Sequence, residues 1–484
     1  MARKDGVCAE SALSVVWFRD DLRLADHPAL HAALKQGAAI LIYIASDRQI
    51  DAEGAAARWW RHRSLEALSQ SICALGGRLI VRRGEALDVL RALITETNAG
   101  TVMWNRRLQP AAMAEDTRIK AALRAEGVVV KSFPGNVLHE AWQIMTQQAK
   151  PYKVFTPYWK AIVAAGLDMD VLPAPTHLTK VNDDIPSLSI RELGYQPRIP
   201  WDKGFVWTPG ELGAQRCLTQ FMPKMAAYSD ARDMLAGEGV SKLSPHLHFG
   251  EISPRQALAA ITQYYGCVLA PSGVASYVRE LGWREFAQYL LYHFPYTVTQ
   301  ALDTRFEAFP WRHAPDDLRA WQRGQTGIPV VDAAMRCLWQ TGWMHNRARM
   351  IVASFLTKNL LIDWRHGAAW FMDTLVDADL GSNTAGWQWT AGSGADAAPY
   401  FRIFNPVLQA EKYDSDGVFI RTWLPELARL NGKDLFAPWL ANPNALRAAD
   451  VRLGENYPYP IVDLASSRTR ALNALESMKS INQE

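Results

Sequence analysis

LSVVWFRDDLRLADHPALHAALKQGAAILIYIA, residues 13–45, holds two short apolar runs, LSVVWF (13–18) and AAILIYIA (38–45), separated by an amphipathic stretch. Three more runs follow at RLIVR (78–82), TVMWN (101–105) and VVVKSF (128–133). Each has the length of a buried strand, and β-branched residues are common in them. Between them lie helical patterns such as RWWRHRSLEALSQSICALGG, which stops at Gly76–Gly77. Five strands with intervening helices predict a doubly wound α/β domain on a five-stranded parallel sheet over residues 1–135. Such sheets bind ligands at the carboxyl ends of their strands. The first strand runs into WFRDDLRLADHPAL rather than a G-x-G-x-x-G, and no G-x-x-x-x-G-K-[ST] occurs. A nicotinamide-type Rossmann site or a P-loop is therefore not expected.

Beyond this domain the pattern changes. Residues 136–215 carry Pro173, Pro175, Pro186, Pro197, Pro200 and Pro209 and read as a connector. From 216 to 484 strand patterns fade. ISPRQALAAITQYY, ASYVRELGWREFAQYLLYHF, VVDAAMRCLWQTG and NRARMIVASFLTKNLLIDW have helical periodicity, so the larger second domain is expected to be all-helical.

Composition bounds the function. The chain has 484 residues, enough for two large domains, and Lys plus Arg (52) nearly balances Asp plus Glu (49). A net charge of +3 excludes a histone-like polycation but not a local basic patch. The five cysteines are scattered, with no C-x-x-C pair, so neither a disulfide framework nor a metal or iron–sulfur site is expected. His246 and His248 form the one close histidine pair, which reads better as structural than as metal-binding. No apolar run is long enough to cross a membrane, and MARKDGVCAESA is too charged for a signal peptide. A soluble, cytoplasmic, monomeric protein is expected.

Nineteen tryptophans are unusual, and nine fall between Trp283 and Trp389. They suit either a bulky helical core or stacking on flat rings. The chemistry-bearing residues concentrate in 321–409. Asn346 and Met350, four apart, share one helix face, while Arg347 and Arg349 point to nearly opposite sides. At that level Arg347 and Arg349 read as solvated, with Arg349 free to pair with an acid elsewhere. Asp377 and Asp379 could form an acid–base pair, a magnesium site, or an N-cap with acceptors for a ligand. If SNTAGWQW is helical, Asn383 and Trp387 share a face and Trp389 lies about 200° round from Trp387, serving a different surface. Glu280 and Trp283, three apart in RELGWREF, also share a face.

VVWFRDDLRLADHPAL, LSPHLHFGEISPRQ, ELGWREF, TGIPVVDAAMR, GWMHNRARMIVASFL, DLGSNTAGWQW and DAAPYFRIFNP together resemble the photolyase/cryptochrome family, from about residue 13 to 475. The resemblance is to bacterial cyclobutane pyrimidine dimer photolyases, and WNRRLQP leans towards their class III subgroup, relatives of plant cryptochromes. It implies an antenna-binding α/β domain, a helical FAD- and DNA-binding domain, and light-driven repair of UV-damaged DNA, with reduced FAD as electron donor. A cryptochrome-like light sensor is the alternative, and Asn383 favours repair over it.

Carried over residue by residue, the resemblance implies FAD contacts from Tyr228, Val240, Ser241, Lys242, Leu243, Ser244, Tyr277, Arg349, Asp377, Ala378, Asp379 and Asn383. Hydroxyls and N–H groups near a helix start suit a diphosphate. Trp283 and Trp389 match walls of the dimer pocket, and Glu280, Asn346 and Met350 match residues that contact the dimer. Arg232, Arg284, Arg347, Arg402 and Gln409 match phosphate or backbone contacts. Trp311, Trp364 and Trp387 match a tryptophan relay that reduces oxidised flavin. Ala111 and Ala112 stand where class I enzymes have an Asn–Glu folate contact, so a methenyltetrahydrofolate antenna is expected without assigned residues.

Overall fold

The computed structural model describes residues 13–180, 184–269, 273–397 and 401–481. Cys8 with the N-terminal stretch, and residues 398–400 of DAAPYFRIFNP, lie outside the described residues. The five runs are strands: β1 Ser14–Phe18, β2 Ala39–Ala45, β3 Leu79–Arg83, β4 Thr101–Asn105 and β5 Val129–Phe133. All pair in parallel, in the order β3-β2-β1-β4-β5, with Val15 opposite Ile40 and Val102. Side chains alternate across the sheet: Val16, Phe18, Leu41 and Tyr43 enter one core, and Val15, Trp17, Ile40 and Ile42 the other. With helices on both faces, the strands read as unbroken apolar runs. The order reverses between β1 and β4, so their carboxyl ends, at Arg19 and Asn105, flank the switch-point crevice.

The Pro-rich connector does more than span a gap. Its helix Phe155–Ala165 belongs to the core of the helical domain, with the Phe155 ring stacked on Trp283 at 3.8 Å and 10°. The rest runs back over the α/β domain, where Leu178 N donates to Leu75 O (2.8 Å) and Leu188 N to Val81 O (2.8 Å). Tyr195 and Tyr43 share a hydroxyl hydrogen bond of 2.8 Å. Proline blocks helix and sheet there without preventing these individual bonds.

The LSPHLHFGE motif joins the two domains. Arg23 donates to Gly250 O (2.9 Å), Leu22 N to Phe249 O (3.1 Å), and Trp60 Nε1 to Glu251 (2.9 Å). Gly250 has φ +64°, and a Cβ there would stand 2.3 Å from Asp20 O, so glycine alone fits.

Four helices matter for the site: Gly273–His293, Asn346–Ser354, Trp364–Thr374 and Leu380–Ala391. Polar residues just before three of them cap free backbone N–H groups. His345 accepts from Arg347 N, Asp363 from Arg365 N and Asp379 from Ser382 N. Gly392, at φ +92°, ends the last of them. A five-residue π-turn, Phe355–Asn359, extends the second. Among the described residues, no helix is long and apolar enough to cross a membrane.

Candidate functional site

The four helices enclose a cavity of about 520 Å³, within the range of small-molecule and cofactor sites. Glu280, Trp283, Ala287 and Leu290 line it from the first helix, at the i, i+3, i+7 and i+10 positions of one face. Asn346, Met350 and Ala353 do the same from the second. Phe371 and Leu375 come from the third helix and its end, and Ser382, Asn383, Gly386, Trp387, Trp389 and Thr390 from the fourth.

The two tryptophans of the last helix share this cavity, and Trp389 also lines a separate small recess that Trp387 does not, in keeping with their 200° offset. Trp387, 2% exposed, forms the buried end of the cavity, and half-buried Trp389 lines its more open flank. Long indoles on both flanks of the helix reach the same space.

The polar groups divide into anchored and free. Arg349 donates to both oxygens of Asp377 (3.0 and 2.8 Å) and to Met344 O (2.8 Å), so it is the paired arginine that the sequence allowed. Asp379 caps its helix and accepts from Gln288 Nε2 (3.0 and 2.7 Å). Burial alone would raise the Asp379 pKa, but His248, Arg284 and the Ser382 N–H outweigh it and hold the carboxylate well below its usual range. Asn383 Nδ2 donates to Ala368 O (3.0 Å), leaving its carbonyl oxygen for a ligand donor. Trp387 Nε1 is buried without a protein partner. Glu280 is ion-paired with Arg232. Burial pushes its pKa up, and Arg232 opposes that without cancelling it.

Beside the cavity stands a second group. Tyr277 hydroxyl donates to Ser241 Oγ (3.1 Å), and Tyr228 meets Tyr277 edge-on at 5.3 Å. Val240, Ser241 and Lys242 lead through buried Leu243 into the short helix that begins at Ser244. Lys242 is exposed, with φ +55°. Trp343, which the sequence reading passed over, donates from Nε1 to Ser244 Oγ (3.4 Å).

Of the remaining expected residues, Arg232, Arg284 and Ala378 also line the cavity. Arg284 donates inward, to Asn136 O (2.6 Å) and Leu247 O (3.3 Å), and so braces the domain junction rather than pointing to solvent. Arg347 is not solvated either: it pairs with Asp233 (2.7 Å) and covers the Tyr413 ring at 4.4 Å. Arg402 is exposed, and Gln409 lies half-buried on the helix Pro406–Tyr413. Trp364 and Trp387 belong to one core cluster, and Trp311 packs against it. Fully buried Trp321 meets Trp387 at 6.1 Å, another residue the sequence reading missed.

These residues fit a flavin dinucleotide. A largely apolar cavity has flat walls, a free amide oxygen at Asn383, an orphaned indole N–H, and hydroxyl groups at a helix start alongside. The switch-point crevice is different. It measures about 60 Å³ and is lined by charged side chains including Arg19, Asp21 and Asp379. Arg19 itself fills part of it, donating to Asn105 O and Asp116. A folate does not fit there.

Comparison with known proteins follows this division. Residues 14–177 match the family described as DNA photolyase, and residues 277–477 match the FAD binding domain of DNA photolyase. The chain is 46% identical to the deoxyribodipyrimidine photo-lyase of Agrobacterium fabrum, over 97% of this chain and 99% of that one. It is 38% identical to cryptochrome-2 of Arabidopsis thaliana, over 96% of this chain and 78% of the relative. The crystal structure of a bacterial class III photolyase from Agrobacterium tumefaciens superposes with a TM-score of 0.93 at 45% identity, covering 99% of this chain and 100% of the other.

Proposed function

The chain belongs to the photolyase/cryptochrome family, and on that footing we propose that it repairs cyclobutane pyrimidine dimers in UV-damaged DNA by light-driven electron transfer. One observation carries the reading: Trp283, Trp389, Glu280, Asn346 and Met350 line the same cavity as Asn383 and Trp387. A lesion and a flavin therefore share one space. A base cannot be reached inside a duplex, so the dimer is flipped out into the cavity, where flat apolar walls replace its lost stacking.

Reduced FAD, when bound, supplies the light-excited electron that opens the cyclobutane ring and receives it back, with no net redox change. The chain's own residues do the rest. Asn383 presents its amide oxygen at the buried end, and Arg349 and Asp377 hold each other rigid beside it. Tyr228, Val240, Ser241, Lys242, Leu243, Ser244 and Tyr277 form the polar cradle suited to a diphosphate. Trp283 and Trp389 orient the dimer and exclude water from it. Glu280 offers a carboxyl hydrogen bond to the pyrimidine, strongest when charge develops there. Arg232, Arg347, Arg402 and Gln409 stand where the DNA backbone passes. Trp311, Trp364 and Trp387 are oxidisable side chains in one packed cluster, suited to stepwise electron relay.

Methenyltetrahydrofolate remains the expected antenna, away from the switch-point crevice. Mass analysis of the chromophores released from the purified protein tests it. The protein acts as a monomer on nucleoid DNA in the cytoplasm.

The deciding experiment is blue-light treatment of dimer-containing DNA with the purified protein, assayed for restored thymine. Likeness to a plant cryptochrome favours a light sensor as the second reading. Flavin photoreduction without any dimer loss would establish the sensor and end the repair reading.

A further inference from the structure

We propose that Lys358 is a positioning residue for the substrate mouth, tying the end of the helix that carries Trp389 to the segment that carries Arg402. The inference rests on the repair reading above. Lys358 lies in the π-turn Phe355–Asn359, whose five residues are all buried. A π-turn shifts side-chain register relative to an α-helix and is frequent at functional sites. Here it turns a lysine inward, only 1% exposed.

Two contacts define what the amine does. Nζ donates to Ala391 O (2.5 Å), in the last turn of Leu380–Ala391, where carbonyls lack helical partners. It also sits 3.1 Å from the centroid of the Phe401 ring. Trp389 is two residues before the first contact, and Arg402 is one residue after the second. Lys358, Trp389 and Arg402 line a common recess of about 20 Å³ with Ser354 and Thr390. Ser354 Oγ accepts from Phe404 N (3.2 Å), so the same helix holds the 401–404 segment a second time.

Among the described residues no carboxylate pairs with this amine, and burial drives its pKa well below the usual lysine value. Lys358 therefore works as a donor and ring contact rather than as a counter-ion. A buried amine is costly without such partners, and a methionine would fill the space more cheaply if packing alone were needed.

The test compares wild-type protein with Lys358→Met and Lys358→Gln. Three quantities are measured: flavin content, dissociation constants for dimer-containing and undamaged duplexes in the dark, and repair per photon at saturating DNA. Lys358→Met should weaken dimer-containing DNA about tenfold, the lower part of a base-stacking contribution. Undamaged DNA, which meets Arg402 at its backbone but not Trp389, should weaken by clearly less, and flavin content and saturating repair should stay within about twofold. Lys358→Gln keeps a donor and should recover most of the selectivity. Equal loss for both duplexes, wild-type selectivity in Lys358→Met, or a glutamine variant no better than methionine would overturn the proposal. If Lys358→Met does not fold, Lys358→Gln decides: selectivity within about threefold of wild type supports the tie, and lost selectivity or lost flavin overturns it. Wild-type protein without preference for dimers would instead overturn the repair reading itself.

Discussion

Trp283 shows how one residue can be both core and site. One face stacks on Phe155 of the connector helix while the side chain lines the cavity. An aromatic–base stack is worth about 1–3 kcal/mol. Trp283→Ala should therefore weaken binding of dimer-containing DNA by roughly ten- to a hundredfold with flavin retained, as measured by dark titration. Unchanged affinity would make Trp283 a packing residue only. Glu280 pairs with Arg232 in the free protein; in the proposed role it acts as a carboxylic acid, its pKa raised by burial, whose donated hydrogen bond strengthens as negative charge develops on the lesion. Glu280→Gln should slow ring splitting by about tenfold, in line with a ~1.5 kcal/mol charged hydrogen bond, and lower affinity less. The comparison needs time-resolved splitting beside equilibrium binding, and a pure affinity loss would contradict the role. His345 bears on the proposed lesion class. It is buried and occupied in capping its helix, and burial lowers its pKa to about 4, so at neutral pH it is a neutral imidazole with no imidazolium proton to transfer. Repair of (6-4) photoproducts, which needs a proton-donating histidine in the pocket, should be undetectable beside dimer repair. Product analysis on both lesions checks this.

Single helices of the cavity were legible wherever chemistry marked a face. Glu280 with Trp283 and Asn346 with Met350 announced their faces by spacing. Ala287, Leu290 and Ala353 continue those faces at the next turns, yet alanine and leucine look the same in a core as in a cavity wall. What spacing could not supply was which neighbour lies across the gap. Gly367 is the clearest case: a Cβ there would come within 2.0 Å of the Trp387 ring. Two helices approach closely enough to press the indole onto bare backbone, and no periodicity reveals that. Gly367→Ala should displace Trp387, cost about 1–3 kcal/mol in stability and reduce bound flavin, read by chemical denaturation and by the flavin spectrum. Intact flavin loading with unchanged stability would show that the indole is not wedged. Trp364, 2% exposed, separates relay from packing. Phenylalanine keeps most of the ring volume and is much harder to oxidise, so Trp364→Phe should cost only ~1–2 kcal/mol. Light-driven reduction of the bound flavin should collapse, while repair by chemically pre-reduced protein persists. Normal photoreduction would assign Trp364 to packing or show that another donor bypasses it.

Across the whole molecule, two domains were visible in the sequence because apolar periodicity changes from strand-like to helical. Their junction was not. His246 reads as structural in the sequence and Glu251 carries no signal there, since nothing local says that Trp60, nearly two hundred residues earlier, completes the group. In the structure Glu251 accepts from Trp60 Nε1 with one oxygen and bonds His246 Nδ1 with the other, while His246 Nε2 lies 3.7 Å from Cys217 Sγ. Burial disfavours the imidazolium, but the Cys217 and Glu251 hydrogen bonds outweigh it and raise the His246 pKa to about 9. A folded pKa above the unfolded value of about 6.5 stabilises fully below that value and loses the contribution as pH rises through about 9. The shift corresponds to roughly 2–4 kcal/mol. Glu285 and Asp332, raised by burial to about 7 and 6, also lose stability as pH rises, but that loss is complete by about pH 8. Over pH 7 to 9.5 buried Lys358, whose folded pKa lies well below its unfolded value, adds stability as pH rises, so the difference between two proteins that both keep it isolates His246. Denaturant unfolding should show the stability advantage of the wild-type protein over His246→Gln shrinking by a few kcal/mol across that interval. His246→Gln, less stable at pH 7, should gain on the wild-type protein over the same interval. Parallel profiles for the two proteins would mean that the junction histidine is neutral in the folded state and that the two domains are held together by the remaining contacts, Arg23 with Gly250 among them.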